Sequence, residues 1–330
     1  MRPDLRAPGT AHLVPLDPDH PGFRDPRYRA RRDAIARVAL GYRSGAPVPP
    51  IAYRPEEHAL WGRVWRALRP LHGERAAREL VPLAGVLGLG PGRLPQLAAL
   101  NAELIPRSGF RMEPVAGLVC TREFLERLGQ GVFLATQYLR HPARPLYTPE
   151  PDVVHEVVGH AASLLHPGIA ALSRALGRAA AGASAAELER LGRLHWFTLE
   201  FGVVDERGAP RAVGAGLLSS PGELARFASA AELLDYDPGR AAETPYDPTD
   251  YQPRLFAAPS LAELVGRANR WVRRGAWRDR SATISAGGPG PAGPRYGGDP
   301  GRALPAARPL PREKGPSPCA PASSPPRSSP

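Results

Sequence analysis

Residues 148–167 read TPEPDVVHEVVGHAASLLHP, and the six letters at 155–160, HEVVGH, miss the H-E-x-x-H pattern of zinc-protease helices by one residue. Histidines four apart lie about 40° from each other around a helix of 3.6 residues per turn, so both imidazoles face one metal. A spacing of five separates His155 and His160 by about 140° on an ideal α-helix. Both rings then reach one ion only by leaning inward or through a local distortion near Gly159. Spacing alone leaves three readings open: core histidines, a zinc-binding helix, or a site of another kind.

A third ligand is sought downstream. The run HWFTLEFGVV at 195–204 places Glu200 among Trp196, Phe197, Leu199 and Phe201. A carboxylate among such neighbours is costly unless it is paired or metal-bound. Two imidazoles with one carboxylate and open positions form the ligand set of non-haem Fe(II) oxygenases, in which O2 must approach the metal directly. The only cysteines, Cys120 and Cys319, lie far apart in unlike contexts, so a metal here is held by nitrogen and oxygen.

Composition sets the frame. The chain has 330 residues, 42% of them hydrophobic, enough for one large domain with a substantial core. The formal charge of +11 invites a nucleic-acid reading. Its distribution argues otherwise, because the arginines are interleaved with acids on amphipathic stretches such as RDPRYRARRDAIARVALGYR (24–43), and Lys314 is the sole lysine. No apolar run of membrane-spanning length and no secretory leader is evident, so a soluble, cytoplasmic protein is expected, without nucleic-acid or membrane partners. Residues 281–330 hold thirteen prolines, eight glycines and a net charge of +4, a mixture expected to stay disordered.

Periodicity and capping signals predict helices near 26–43, 55–71, 74–88, 94–105, 121–129, 151–165, 184–201, 221–234 and 260–273. The stretch GVVDERGAPRAVGAG (202–216) reads as a short hairpin. The expectation is a mainly α fold with a few short β-strands, divided into an N-terminal extension (1–19), a catalytic domain (20–275) and a Pro/Gly/Ser-rich tail (276–330).

The stretch GVFLATQYLRHPARPLYTPEPDVVHEVVGH (131–160), followed by WFTLEFG (196–202) and GAGLLSS (214–220), resembles the pterin-dependent aromatic amino acid hydroxylases. DPDHPGFRDPRYRARRDAIA (17–36), IPRSGFRMEPVAGLV (105–119) and DYQPRLFAA (250–258) extend the likeness over roughly residues 15–270. The resemblance implies an aromatic amino acid hydroxylase-like helical catalytic domain that uses Fe(II), tetrahydrobiopterin and O2 to hydroxylate an aromatic ring. Within it, L-phenylalanine to L-tyrosine is the expected reaction, with tyrosine or tryptophan hydroxylation as the alternatives. It assigns the metal to His155, His160 and Glu200. Amino acid binding falls to Arg140, which grips a carboxylate as a planar bidentate guanidinium can, and to Thr148, Asp152, Trp196, Phe201, Ser219 and Ser220. Pterin binding falls to Val119, Thr121, Phe124 and Glu156. Each has a plainer reading: an N-terminal helix acid for Asp152, a turn for the two serines, core packing for Trp196 and Phe201, ordinary helix positions for Phe124 and Glu156.

Two departures stand out. His195 replaces the tyrosine common before WFT, and Pro221 follows LLSS where an aromatic is frequent. A monomer is expected, because the Pro-rich tail cannot supply a heptad helix. The rival classes are a zinc hydrolase, with Glu156 as general base, and an inactive amino acid or pterin binder.

Overall fold

The computed structural model describes residues 13–148, 150–248 and 250–278. The expected extension and tail therefore lie largely outside the described residues. Within them, Leu13 N donates to Asp33 Oδ1 at 3.0 Å, and Val14 and Leu16 are buried. At the other end Trp277 is buried and its indole donates to the Val272 carbonyl at 3.1 Å.

In chain order come α1 (Pro26–Leu40), α2 (Pro55–Arg75), α3 (Leu83–Val86), α4 (Leu97–Ser108), β1 (Arg111–Val115), α5 (Thr121–Gly129) and β2 (Val132–Thr136). Then follow α6 (Pro167–Ala180), α7 (Ala185–His195), β3 (Val203–Asp205), β4 (Pro210–Ala212), α8 (Ala215–Ser219), α9 (Pro221–Leu224) and α10 (Phe227–Ala230). The chain finishes with β5 (Glu232–Asp235), α11 (Pro238–Glu243), β6 (Arg254–Ala258) and α12 (Leu261–Arg273). Helices dominate and the strands are short. Local chemistry sets many of the starts. Asp25 caps α1 by accepting from the amides of Arg27 and Tyr28 ahead of Pro26, and Ser184 with Glu187 forms a reciprocal capping box on α7.

Strands β1 and β2 pair in parallel, from Arg111 opposite Val132 to Val115 opposite Thr136. A second sheet has the order β4-β3-β6-β5, in which the β3–β4 hairpin is the one read from the sequence and β6 runs parallel to both of its neighbours. One continuous apolar core joins the helices to these sheets; in it Phe197 meets Phe256 edge-on at 5.2 Å. Each such side chain, taken fully out of water, stabilises the fold by about 1.5–3 kcal/mol.

The structure corrects two of the expected helices and adds elements that were not expected. The helix expected over 74–88 is a single turn, α3, because Ala76 is already extended and Ala77 donates to the Ala212 carbonyl at 2.9 Å. Pro82 reinforces the break, since it disfavours helix at the residue before it. The helix expected over 221–234 becomes two single turns followed by β5, because ELLD pairs with RLFA of β6. Pairing across the sheet overrides local propensity there. Conversely α6 has no counterpart among the expected helices. Its Gly177 makes it possible: a Cβ at that position would lie 2.0 Å from the Gly129 amide nitrogen, so the backbones of α5 and α6 touch directly. Among the described residues no helix is long and apolar enough to cross a membrane.

Candidate metal centre

Two short π-helical turns carry the three candidate ligands. One spans His155–Ala161 and the other Trp196–Glu200. In the second, the amide of Phe201 bonds to the carbonyl of Trp196, five residues back, at 2.8 Å. Hydrogen bonds of this i→i+5 kind bring residues five apart close to one face. That resolves the awkward histidine spacing: His155 Nε2 and His160 Nε2 stand 3.0 Å apart. Gly159 lies inside the first turn, where a Cβ would fall 2.8 Å from the Cβ and carbonyl oxygen of Ala215. Its absence lets α8 press against the turn.

Glu200 closes the group from the second turn. Its Oε1 is 2.9 Å from His160 Nε2, and its Oε2 is 3.5 Å from His155 Nε2. One ligand atom from each of the three residues lies within 4.8 Å of the others, and among the described residues no other trio of His, Cys, Asp or Glu does so. The donor set fits a divalent ion: two facing imidazole nitrogens can share one proton or one cation, and a carboxylate beside them supplies the charge. Ser219 orients one ligand. Its hydroxyl donates to the Ala215 carbonyl at 2.8 Å and lies 3.1 Å from His155 Nδ1. The hydroxyl therefore accepts from Nδ1–H, which leaves Nε2 as a lone-pair donor facing Glu200 and His160.

Burial and charge oppose each other throughout the cluster. Burial pushes His155 down to about 4 against the pull of Glu200, and does the same to His195, also to about 4. For His160 burial pulls downward, yet the charge and hydrogen bond of Glu200 outweigh it and hold the ring above its ordinary value. Burial alone would raise Glu200, but the surrounding imidazoles keep it far below the usual carboxylate range. Glu156 is different. Burial raises it to about 7, although it accepts from the Thr136 amide at 3.1 Å and the Thr136 hydroxyl at 2.9 Å.

Beside this group lies a second buried charge pair. Arg140 donates through Nε to Asp152 Oδ2 at 2.9 Å and through Nη2 to Oδ1 at 2.8 Å, and its backbone amide adds a third bond at 2.8 Å. Asp152 also accepts from the His155 amide at 3.2 Å, so the acid that fixes Arg140 starts the helix that carries the ligands. Burial works against its ionisation, and Arg140 more than compensates, holding Asp152 below its ordinary value. Nη1 of Arg140 has only a long contact, 3.5 Å to the Pro145 carbonyl.

Aromatic walls flank both groups. Trp196 stacks on Tyr246 at 4.1 Å and 9°, lies 4.6 Å from Phe201, and donates to Gln252 Oε1 at 3.0 Å. Phe124, partly buried on α5, makes T-shaped contacts with Phe133 at 5.6 Å and His195 at 5.4 Å. The remaining candidates engage local partners. Thr148 donates to the Glu150 carbonyl at 3.1 Å, Ser220 caps α9 by accepting from the Glu223 amide at 3.4 Å, and Val119 and Thr121 flank the start of α5, partly buried. Sequence reasoning missed Thr136, Glu223, Tyr246 and Gln252. Each acts through a contact distant in sequence, and no spacing signal marks it.

The fold and this group define a mainly helical protein with a candidate two-histidine, one-carboxylate centre. The chain belongs to the biopterin-dependent aromatic amino acid hydroxylase family, whose profile matches residues 10–278. It is 40% identical over 262 residues to a phenylalanine-4-hydroxylase of Caenorhabditis elegans, covering 78% of this chain and 57% of that protein. It is also 40% identical over 264 residues to a tyrosine 3-monooxygenase of Bos taurus, covering 78% and 54%. The chain thus spans a little over half the length of these relatives. The solved structure of Chromobacterium violaceum phenylalanine hydroxylase with bound iron(III) and 7,8-dihydrobiopterin aligns with a TM-score of 0.64 at 28% identity, covering 72% of this chain and 90% of that one.

Proposed function

We propose that this chain is a pterin-dependent non-haem iron monooxygenase that hydroxylates the ring of an aromatic amino acid, with L-phenylalanine converted to L-tyrosine as the first reading. The observation that carries it is the convergence of His155, His160 and Glu200 on one point, with ligand atoms within 4.8 Å. Iron(II) held by these residues would supply, with tetrahydrobiopterin as reductant, the capacity to activate O2.

The protein's own work is geometric. Ser219 and the two π turns orient the ligands before an ion arrives, which reduces the reorganisation that binding requires. Arg140, held flat by Asp152, presents Nη1 to the substrate carboxylate, with Thr148, Ser219 and Ser220 nearby as polar contacts. Trp196 and Phe201 wall the aromatic ring and exclude water from it. On the other side Phe124, which no ring among the described residues covers in parallel, offers a face to the flat pterin, and Glu156, shifted up to about 7, can hold a proton against its polar edge. Val119 and Thr121 complete that wall through their backbones. We read the protein as a cytoplasmic monomer with a catalytic domain at 20–275, in which removal of residues 281–330 leaves turnover intact.

Tyrosine hydroxylation is the second reading, favoured by relatives of both kinds at 40% identity. The loop carrying Asp247 and Pro248, beside Tyr246, is where the two substrates would be told apart. Full-length protein given Fe(II), a tetrahydropterin and each aromatic amino acid in turn is expected to consume O2 and release hydroxylated product, fastest with phenylalanine. Hydrolytic activity requiring zinc and no O2 would overturn the reading, as would ligand binding without turnover at saturating iron.

A further inference from the structure

His195 carries an inference that rests on the iron reading above. Its ring lies between Phe124 and His160, T-shaped to the first at 5.4 Å and near-parallel to the second at 6.4 Å and 23°. His195 is buried, its Nδ1 lies 3.8 Å from Glu200 Oε1, and neither ring nitrogen makes a hydrogen bond among the described residues. That carboxylate oxygen is an acceptor close to Nδ1.

The same oxygen loses its present donor when a metal binds. Oε1 of Glu200 now faces His160 Nε2 at 2.9 Å. An imidazole nitrogen that gives its lone pair to an ion carries no proton to donate, so this contact ceases as a hydrogen bond. Metal-bound carboxylates are in turn hydrogen-bonded by outer groups that fix their orientation. His195 is a side-chain donor that stands close to Glu200. A closure of roughly 1 Å brings Nδ1 into hydrogen-bond range.

We propose that His195 is a positioning residue for the metal centre: its Nδ1–H would hold Glu200 Oε1 and so fix the direction in which the carboxylate faces an ion held by His155, His160 and Glu200. His195 thereby links the ligand geometry to the wall formed by Phe124.

Cobalt(II) is the probe, with the full chain and two variants. His195→Phe keeps a ring and removes the donor; His195→Asn keeps an N–H close to the Nδ1 position. Affinity is read by competition with a chelator, and ligand geometry by the visible d–d absorption. His195→Phe is expected to weaken cobalt binding by about tenfold or more and to change the band intensities, while His195→Asn stays within about threefold with a wild-type spectrum. Unchanged affinity and spectrum in His195→Phe overturn the proposal. So do equal losses in both variants, which would mark the ring itself as a ligand. Thermal melts without metal check folding; if His195→Phe does not fold, His195→Met, which has volume and no N–H donor, is judged by the same criteria. Wild-type protein that binds no cobalt sinks the iron reading along with this one, whereas wild-type binding with an indifferent His195→Phe sinks this one alone.

Discussion

Two buried charge clusters meet at the helix entered at Asp152, and they are satisfied in opposite ways. Arg140 and Asp152 form a closed pair: both carboxylate oxygens accept bonds, from the guanidinium, the Arg140 amide and the His155 amide. His155, His160 and Glu200 form a crowded group in which two ring nitrogens face each other across 3.0 Å beside one carboxylate. The first needs nothing further to remain ionised in the interior. The second has more lone pairs than protons can serve, which is the condition a metal ion relieves. The contrast distinguishes a cluster that fastens the fold from one whose donor set fits a divalent ion.

The sharpest way to break this contrast is to truncate one member of each. Glu200→Ala is expected to abolish iron retention and turnover, measured by metal analysis after gel filtration and by product formation, without a comparable loss of folding stability. Asp152→Ala strands the Arg140 guanidinium, which is 2% exposed, and is expected to cost about 3–5 kcal/mol in urea unfolding. If Glu200→Ala destabilised the metal-free protein as much as Asp152→Ala, the two clusters would be alike and the distinction would fail.

A third buried acid tests the intermediate case. Glu223 has neither a bidentate arginine nor a metal, only the Gln252 amide at 3.3 Å, and burial raises it to about 7. The folded chain therefore holds this proton after the unfolded chain has released it. Stability is fully present below pH about 4.5, falls as pH rises towards 7, and stays low above that. Glu223→Gln, which cannot ionise, is expected to gain on the wild type by about 2–3 kcal/mol between pH 5 and 8 in parallel urea titrations. A pH-independent difference would refute the assignment. The smallest effect is expected from Gln252, whose side chain ties Trp196 to the carbonyls of Asp247 and Asp250 at 2.8 and 2.9 Å. Gln252→Ala removes neutral hydrogen bonds worth about 1 kcal/mol each. A KM for the amino acid several-fold higher, at unchanged kcat, is the expected signature.

The grouping of His155, His160 and Glu200 was legible because these residues lie in two short runs, and because a histidine pair at an awkward spacing demands a physical explanation. Sequence alone offered leaning rings or a helix distortion; the π turn supplies the distortion. The β3–β4 hairpin was readable from local chemistry for a similar reason. The partner contacts were not. Thr136 reaches Glu156 because the parallel β1–β2 pair ends beside the helix, and Gln252 reaches Trp196 across 56 residues. β5 was hidden because its alternation is too short to outweigh the helix signal of the alanines before it. α6 was overlooked although His166-Pro167 begins it, since Gly168 and Gly177 look like breakers until the contact with Gly129 explains the second of them.

The π turn at 155–161 has a consequence for how this locus tolerates change in length. A turn of this kind is an ordinary helix bearing one inserted residue. Deleting a single codon between Glu156 and His160 would restore four-residue spacing and regular winding, leaving the letters of a zinc-protease signature. The same loss would rotate every later side chain of that helix by about 100°, and Ser163, which donates to the Gly159 carbonyl at 2.6 Å, would be carried off its present bearing. One inserted residue thus separates this spacing from a zinc-protease signature on nearly identical text, and the surrounding packing guards that register.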